Sequence, residues 1–255
     1  MRRVSAFGAF VRFSGALLAA LIAKPSSWAK WPRLSQQLDL IGTRSAPVLA
    51  LTGIFIGAVL AIEGFDQFAQ FGLEQRLGGV VNISVVKQIG PVLAAVMLAG
   101  RVGCALAAEL GSMRVTDQLD AMRVMGANPI RVLVAPRVVA CVVMIPALTV
   151  ISNLCGIAGG WIIIVAIEGV SQDAYWRYTA DFISWWDVLT GLIKATCFAL
   201  AIGLISCFKG FTCRAGAQGV GRATTDAFVT SFVAIVIINF VLAKLLNDLE
   251  PLIMG

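Results

Sequence analysis

The strongest constraint on the fold of this chain is a series of long apolar runs, separated by short polar segments, along its 255 residues. A helix needs about 20 apolar residues to cross the hydrocarbon core of a bilayer. The runs therefore predict five transmembrane helices, at about 46–62, 85–110, 132–167, 188–208 and 227–246. Only 13% of the residues are charged, roughly half the fraction of a soluble domain. The sequence thus predicts an all-α integral membrane protein.

The third apolar run, at about 132–167, is longer than one straight span requires. Pro136 and Pro146 fall within it, and proline removes a backbone donor and crowds the preceding turn of a helix. Glycines follow at Gly156, Gly159 and Gly160. We therefore expect this run to be kinked or broken.

Residues 1–44 precede the first predicted span and are expected to lie at the cytoplasmic interface, leaving 45–255 as the transmembrane bundle of a single domain. Arg12 interrupts the apolar portion of this segment, and no good small-residue cleavage site precedes Lys24, which disfavours a cleaved secretory signal. The lack of acidic residues leaves an organellar transit peptide as an alternative. The favoured interpretation is an interfacial amphipathic helix, flanked by Arg2 and Arg3. Its apolar side chains recur at helical spacing, at Val4, Phe7, Phe10, Val11, Leu17, Leu18 and Leu21.

The distribution of basic residues predicts the orientation of the chain, because Lys and Arg collect in cytoplasmic loops. They are concentrated before the first span, between the second and third spans, and between the fourth and fifth. The alternate loops are mainly acidic, and the later one contains Trp176, Trp185 and Trp186, which suit an outer membrane–water interface. The N-terminus is therefore predicted to be cytoplasmic and the C-terminus to lie on the outer side.

The composition excludes several kinds of chemistry. There is no histidine, which removes His-containing zinc sites, Ser–His triads and HExxH proteases. The six cysteines form no CxxC pair, and most lie in apolar runs, so we expect them to be small buried hydrophobes. Positive cytoplasmic loops explain the net charge of +6 without nucleic acid. We expect no catalytic residue, no metal site and no cofactor bound by this chain.

One polar stretch, ELGSMRVTDQLDAMRVMGANPIRVLVAPR at 109–137, separates the second and third runs. Thr116 suits the N-cap of a helix, and Asp117 and Asp120 would lie in its first turn, where the helix dipole favours acids. Gly126 suits the position after the C-terminus, and Pro129 prevents continuation. The predicted helix, 117–125, is about 14 Å long at 1.5 Å per residue, too short to span a bilayer.

The apolar residues of this short helix form one stripe, with Val115, Leu119, Met122 and Met125 at spacings of four, three and three. A capped helix with such a stripe can dock into a groove of a partner protein, and methionine suits a mobile interface. The alternative is a helix that packs on its own neighbours or lies on lipid. The residues alone do not separate these two interpretations.

The segment GPVLAAVMLAGRVGCALAAELGSMRVTDQLDAMRVMGANPIRVLVAPRVVA, 90–140, closely resembles the MlaE/YrbE permease family of bacterial ABC transporters. GIFIGAVLAIEG, 53–64, and GVGRATTDAFVTSF, 219–232, are similar to the same family, and the resemblance continues in order from about residue 25. It implies that the short helix is a cytoplasmic coupling helix that seats on an ATPase. The coupling residues would be Val115, Thr116, Asp117, Gln118, Leu119, Met122, Met125 and Gly126.

The resemblance also implies a function. The chain would be the permease subunit that moves phospholipids between the bacterial inner membrane and a periplasmic MCE-domain carrier, helping to maintain outer-membrane lipid asymmetry. It would form a homodimer with two ABC ATPase subunits and an MCE-domain substrate-binding protein, and a small STAS-domain protein is a further implied partner. The chain lacks a GxxxxGK[ST] phosphate loop, which agrees with ATP being used by a separate subunit. A permease of the same family for another hydrophobic cargo, such as a sterol, is the alternative.

Lys87 begins the second apolar run and has two interpretations. It can be a lysine that snorkels to the membrane interface, where its charge costs less than at the bilayer centre. It can also face a cavity of the dimer and meet a lipid phosphate. The family commonly has Arg-Glu where this chain has Lys87-Gln88, so the positive charge is kept and the acid is lost. Further positions match the family's lipid-lining residues: Leu60, Phe68, Phe71 and Ile89.

Other polar residues within the predicted spans are expected to be structural. Arg101 and Glu109 lie eight residues apart, so each should bridge to a neighbouring segment rather than pair with the other. Lys194 is expected to face protein, and Lys244 to snorkel outward. Small residues suited to close helix packing are Gly100, Gly103, Gly156 and Gly160.

Two other classes of membrane protein fit the sequence less well. An intramembrane enzyme would need a nucleophile–base pair, a metal site or a GxGD motif, and the sequence contains no histidine and no GxGD. A secondary transporter usually shows inverted repeats or interrupted polar helices in two halves. No internal repeat is visible in this chain.

Overall fold

The computed structural model describes the backbone of residues 2–23 and 31–254, and the side chains of residues 8–21 and 34–251. Every regular element within these ranges is helical. The side chains of Arg2, Arg3, Val4, Phe7 and Lys24 lie outside the described residues. The α-helices are α1 (Arg2–Ala23), α2 (Trp31–Ile41), α3 (Ala46–Ala69), α4 (Leu77–Ser84), α5 (Gly90–Leu98), α6 (Cys104–Val115), α7 (Gln118–Val124), α8 (Ala135–Trp161), α9 (Gln172–Phe182), α10 (Trp185–Phe211) and α11 (Ala217–Met254).

Five stretches of the described chain are long and apolar enough to cross a membrane, as the sequence predicts. They exceed the predicted runs because the helices continue into their polar ends. The first span begins at Leu34 and so includes most of α2. The sequence analysis had assigned these residues to the N-terminal segment 1–44. These first to fifth spans are Leu34–Ala69, Glu74–Val115, Ile130–Ile167, Trp185–Phe211 and Ala217–Pro251.

The third span does not break where the sequence suggests. Its main helix, α8, runs through Pro146 without interruption. Its glycines permit close packing instead: a Cβ on Gly159 would collide with the carbonyl oxygen of Ile54, and one on Gly57 with that of Gly156. The small residues thus let α3 and α8 approach backbone to backbone.

The second span contains two π-helical turns, at Val85–Ile89 and Ala99–Gly103. A π turn inserts one extra residue into the α-helical repeat and redirects the side chains around it, often at functional sites. Lys87 lies in the first of these turns and Arg101 in the second. The irregular turns therefore coincide with charged residues inside the span.

The described residues cluster into two compact units. The first unit comprises Met1–Arg44, Leu98–Met144 and Phe198–Ile235. Within it, α1 buries Phe13, Leu17 and Ala20, and the ring of Phe13 meets that of Phe208 at 5.5 Å. Leu17 is buried within the chain, whereas Val11 and Leu18 of the same predicted apolar set are exposed.

The second unit comprises Ser45–Met97, Ile145–Cys197 and Val236–Gly255. Its core packs α9 against α4 through a buried polar triad. The Asn82 amide donates to the hydroxyls of Tyr175 and Thr179 at 2.8 and 2.9 Å, and the Tyr175 hydroxyl reaches the carbonyl of Ile157 at 2.9 Å. Burial raises the pKa of Tyr175 to about 12, although the Asn82 hydrogen bond lowers it. Tyr175 therefore stays neutral and fixes the loop helix α9 to the second span.

Candidate functional site

Lys87 is not a free cation, because two carboxylates pair with it. Its ammonium lies 2.8 Å from a carboxylate oxygen of Asp187 and 2.9 Å from one of Glu250. The Asp187 side chain is 4% exposed and the Glu250 side chain 33%. Asp187 also accepts hydrogen bonds from the backbone N–H and the hydroxyl of Ser184, at 2.9 and 2.8 Å. The pair with Asp187 is the buried, fixed one, and Glu250 is the more accessible partner.

A second lysine lies beside this group. Lys194 is 1% exposed, and its ammonium donates to the backbone carbonyl of Lys87 at 3.2 Å and to the side-chain oxygen of Gln88. The prediction that Lys194 faces protein is therefore confirmed. Lys87, Lys194, Asp187 and Glu250 carry no net charge together. Gln88 is neutral. The carboxylates that pair with Lys87 come instead from Asp187 and Glu250, in distant parts of the chain.

Lys87, Gln88 and Lys194 border a cavity of about 390 Å³. Lys87 and Gln88 reach it from the π turn, Lys194 from α10 and Asn247 from α11. Three segments of the second unit thus contribute polar groups to one space. A phosphate or another small anion entering this cavity meets ammonium and amide donors. The lining is Ile83, Ser84, Lys87, Gln88, Lys194, Ala243 and Asn247.

An apolar groove of about 500 Å³ runs along α3 and the second span. Among the predicted lipid-lining residues, the structure brings Leu60 and Ile89 together here. Phe68 packs against the core of the second unit instead, and Phe71 lies beyond α3 with 78% of its surface exposed. The groove is lined by Leu51, Thr52, Phe55, Ile56, Val59, Leu60, Ile89 and Leu93.

The π turn Val85–Ile89 separates two chemical surfaces. Ile89 lines the apolar groove, while its neighbours Lys87 and Gln88 line the polar cavity. Of the predicted lipid-binding residues, Leu60 and Ile89 thus lie at the apolar groove and Lys87 and Gln88 at the polar cavity, whereas Phe68 and Phe71 lie at neither. The sequence did not identify Asp187 and Glu250, whose carboxylates pair with Lys87.

The short polar helix between the second and third spans is present as α7, Gln118–Val124. Its beginning differs from the prediction. Thr116 ends the preceding helix, and its hydroxyl bonds back to the Ser112 carbonyl at 2.9 Å, so it is not the N-cap. Asp117 occupies that position in a left-handed conformation, with φ 56° and no side-chain capping bond. The chain turns sharply at Asp117, which lets α7 start directly after α6.

The end of α7 agrees with the prediction. Gly126 has φ 77°, a left-handed conformation that glycine adopts without strain. The N–H of Gly126 bonds to the Arg123 carbonyl at 3.0 Å, and that of Ala127 to the Met122 carbonyl at 2.9 Å. These two bonds form a Schellman motif, which satisfies the last carbonyls of the helix.

The predicted apolar stripe does not form one exposed face. Leu119 is fully buried within this chain, so it anchors α7 to its own neighbours and is not available to a partner. Val115 and Met122 are half-buried, and Met125 is 74% exposed. Val124, outside the predicted stripe, is 89% exposed. The apolar surface open to a partner is therefore the pair Val124 and Met125.

Ion pairs brace α7 on its exposed side. Asp120 accepts from Arg114 and from Arg123 at 2.7 Å each. The Arg123 guanidinium also lies over the ring of Phe211, 5.5 Å from its centroid. These contacts join α7 to the end of the second span and to α10. These contacts hold α7 against the ends of the second and fourth spans.

Glu109 forms the bridge that the sequence predicts to a neighbouring segment. It pairs with Arg137 of α8 at 2.9 Å, where Arg137 is nearly buried. Arg101 is exposed and forms no ion pair among the described residues. The glycine prediction is confirmed at Gly103, where an added Cβ would lie 2.8 Å from the hydroxyl oxygen of Ser206.

The chain thus combines five apolar spans, an apolar groove, a polar cavity and a short braced helix between two spans. The chain matches the family model described as Permease MlaE over residues 34–245. It therefore belongs to the MlaE permease family and is a multi-pass membrane permease of an ABC transporter.

Relatives support the assignment along nearly the whole chain. A probable ABC transporter permease protein of Rickettsia typhi is 39% identical, covering 94% of this chain and 91% of its own. The intermembrane phospholipid transport system permease protein MlaE of Haemophilus influenzae is 35% identical, covering 94% and 92%. The chloroplastic protein trigalactosyldiacylglycerol 1 of Arabidopsis thaliana is 38% identical, covering 84% of this chain and 61% of its own.

Proposed function

We propose that this permease moves phospholipids between the bacterial inner membrane and a periplasmic MCE-domain carrier, and so helps to maintain the lipid asymmetry of the outer membrane. It would act as a homodimer with two ABC ATPase subunits, with a small STAS-domain protein as a further partner. The name of the Haemophilus relative, a phospholipid transport permease, supports this cargo. The observation that carries the proposal is the pair of subsites on either side of the π turn Val85–Ile89.

A phospholipid needs both subsites. Its acyl chains require an apolar surface, which α3 provides with exposed Leu51, Phe55 and Val59 beside Leu60. Its phosphate requires cationic donors, which the polar cavity provides through Lys87. A sterol has an apolar body and one neutral hydroxyl, so it carries no charge to pair with an ammonium.

The phosphate would reach Lys87 by replacing Glu250. Asp187 is buried and held by Ser184, so it stays with Lys87 as a fixed partner. Glu250 lies near the end of the fifth span and is one-third exposed, so its pair with Lys87 is the weaker one. If Glu250 moved away, one N–H group of the Lys87 ammonium would be free to donate to the lipid phosphate.

The test compares phospholipid retained per purified complex in three variants. Glu250→Gln should raise retention, because it removes the competing carboxylate. Lys87→Arg should keep retention, since arginine supplies forked donors. Lys87→Met combined with Asp187→Asn should lower it roughly ten- to a hundred-fold, from the loss of a charge-assisted bond. Unchanged retention in the double variant would show that Lys87 does not hold cargo.

We also propose that α7 is the coupling helix and that Val124 and Met125 seat on the ATPase. Both side chains project an apolar surface from a helix that is otherwise braced by ion pairs. An exposed apolar pair on a rigid support suits a knob that enters a partner's groove. ATP would bind to the partner only.

The proposed orientation has a cytoplasmic N-terminus and a periplasmic C-terminus. A cysteine placed at Asp173 should react with a membrane-impermeant thiol reagent in intact cells, in a background without native cysteines. One placed at Ala127 should react only after permeabilisation. The opposite pattern would invert the proposed topology.

A further inference from the structure

A second polar cavity, of about 1030 Å³, lies in the first unit where the fourth span ends and the fifth begins. Lys209, Arg214 and Arg222 line it, and Asp226 is the single carboxylate in the part of the lining that the structure describes. Lys209 is half-buried, and the two arginines are exposed. Among the residues that the structure describes, none of these three cations forms an ion pair. The cavity therefore has excess positive charge that the described part of the chain does not neutralise.

The backbone adds to this positive character. Helix α11, 38 residues long, begins at Ala217, and Gln218 and Gly219 of its first turn line the cavity. The helix dipole gives this end partial positive charge, which favours an anion, and the N–H of Gly219 already bonds to the Gly216 carbonyl at 2.9 Å. Gly216 has φ 87°, and a Cβ on Gly219 would collide with the Arg214 carbonyl, so this tight turn depends on glycine. The turn places the exposed Arg214 next to the helix N-terminus.

One wall of the cavity is apolar. The ring of Phe208 lines it and also receives Phe10 of α1 at 5.3 Å, edge to face. Ala9 of α1 completes this wall. The cavity therefore lies between the N-terminal helix and the loop that connects two spans. One wall of it is apolar, and its rim is basic.

We propose that this cavity binds the phosphate of an anionic phospholipid headgroup, as a site separate from the cargo path. Its location where two membrane spans end places it at the depth of lipid phosphates, whichever side of the membrane it faces. Basic pockets at the ends of membrane helices are suited to anionic headgroups. The bound lipid would hold α1 against α10 through Phe208 and the first glycerol carbons. This site does not depend on phospholipid being the transported cargo.

The ligand is recognised by phosphate chemistry, which a free phosphate shares. The apolar wall distinguishes the two, because Phe208 and Ala9 offer contacts only to a lipid. Each cation near a membrane surface strengthens anionic lipid binding about five-fold. Removal of the three cations Lys209, Arg214 and Arg222 should therefore weaken binding of the anionic lipid roughly a hundred-fold.

The experiment measures phosphatidylglycerol and phosphatidylcholine bound to the purified full-length chain by native mass spectrometry, with inorganic phosphate as a competitor. The test variants are Arg214→Gln with Arg222→Gln, which are surface changes, and the same pair with Lys209→Gln. The matched control removes three basic charges elsewhere, at Arg76, Arg177 and Lys244. We expect wild type and control to retain phosphatidylglycerol over phosphatidylcholine, and the two test variants to lose this preference progressively.

Three results would overturn the proposal. The first is equal phosphatidylglycerol binding in wild type and in the double surface variant. The second is displacement of the lipid by inorganic phosphate at comparable concentration, which would identify a free-phosphate site. The third is an equal loss of the phosphatidylglycerol preference in the matched control, which would assign the effect to net charge and not to this cavity. Loss of transport with lipid binding intact would concern the cargo proposal alone.

Discussion

Removal of the Lys87 ammonium should strand a buried carboxylate. In Lys87→Met, Asp187 keeps its two bonds from Ser184 and loses the cation 2.8 Å away. Breaking a buried ion pair by deleting one partner costs about 3–5 kcal/mol, because the remaining charge is left uncompensated. The Ser184 bonds place the expected loss near the lower limit, at about 3 kcal/mol. The Glu250 pair is partly exposed and adds less than about 1 kcal/mol.

The double variant Lys87→Met with Asp187→Asn tests the cause. It removes both charges of the buried pair, and the amide oxygen of the introduced asparagine can still accept from Ser184. Replacing both partners of a buried pair is often nearly neutral. We expect the double variant to recover at least about 2 kcal/mol of the loss in the single variant.

Thermal unfolding of the full chain in one detergent measures these differences. At roughly 2–4 °C per kcal/mol for a chain of this size, Lys87→Met should lower Tm by about 6–12 °C. The double variant should regain most of this shift. Equal Tm values for the single and double variants would refute the reasoning, because the stranded Asp187 carboxylate could not then be the source of the loss.

Three further changes probe other parts of the molecule. Met125→Asp with Val124→Asp should abolish copurification of the ATPase, since each would bury an unpaired charge at the interface. Gly57→Leu should prevent stable folding, measured as loss of the monodisperse peak in size-exclusion chromatography, because its side chain would strike the Gly156 backbone. Tyr175 should titrate near pH 12 by ultraviolet absorbance, and its stabilisation should be lost as pH rises from about 10 towards 12.

Matched variants control for general damage. Val124→Leu with Met125→Leu keeps the apolar surface and should retain the ATPase. Loss of the ATPase in this variant would show that binding depends on the shape of these side chains and not only on the absence of charge. Gly15 lies in a helix with open space around it. Gly15→Ala should therefore be tolerated or raise the free energy of unfolding by about 0.5–1 kcal/mol. Tyr178→Phe leaves Tyr175 as the remaining tyrosine for the titration. A single midpoint near pH 10 in that variant would contradict the buried environment.

The spans and the end of α7 could be predicted because their signals are local. Apolar runs of sufficient length specify membrane helices, and Gly126 followed by Pro129 specifies a helix end. The beginning of α7 was predicted wrongly because Thr116 has a competing partner, the Ser112 carbonyl one turn earlier. The burial of Leu119 was missed because a stripe at helical spacing does not reveal which molecule covers it.

The charge balance around Lys87 could not be predicted because its partners are distant in the chain. Asp187 lies 100 residues away and Glu250 lies 163 residues away. In the sequence, each is simply an acidic residue at the end of an apolar run, with nothing to indicate its partner. The placement of Ile89 at the apolar groove and of Lys87 and Gln88 at the polar cavity coincides with the π turn at Val85–Ile89. Helical periodicity at 3.6 residues per turn does not anticipate this extra residue.

The most direct test of the account is ATP-driven transfer of phospholipid by the assembled transporter. Proteoliposomes containing the permease and its ATPase would be given labelled phospholipid and, in parallel, labelled sterol, with the MCE-domain carrier outside. We predict transfer of phospholipid between membrane and carrier that requires ATP hydrolysis, persists in Lys87→Arg and falls in Lys87→Met with Asp187→Asn. ATP-dependent transfer of the sterol with no transfer of phospholipid would contradict the account.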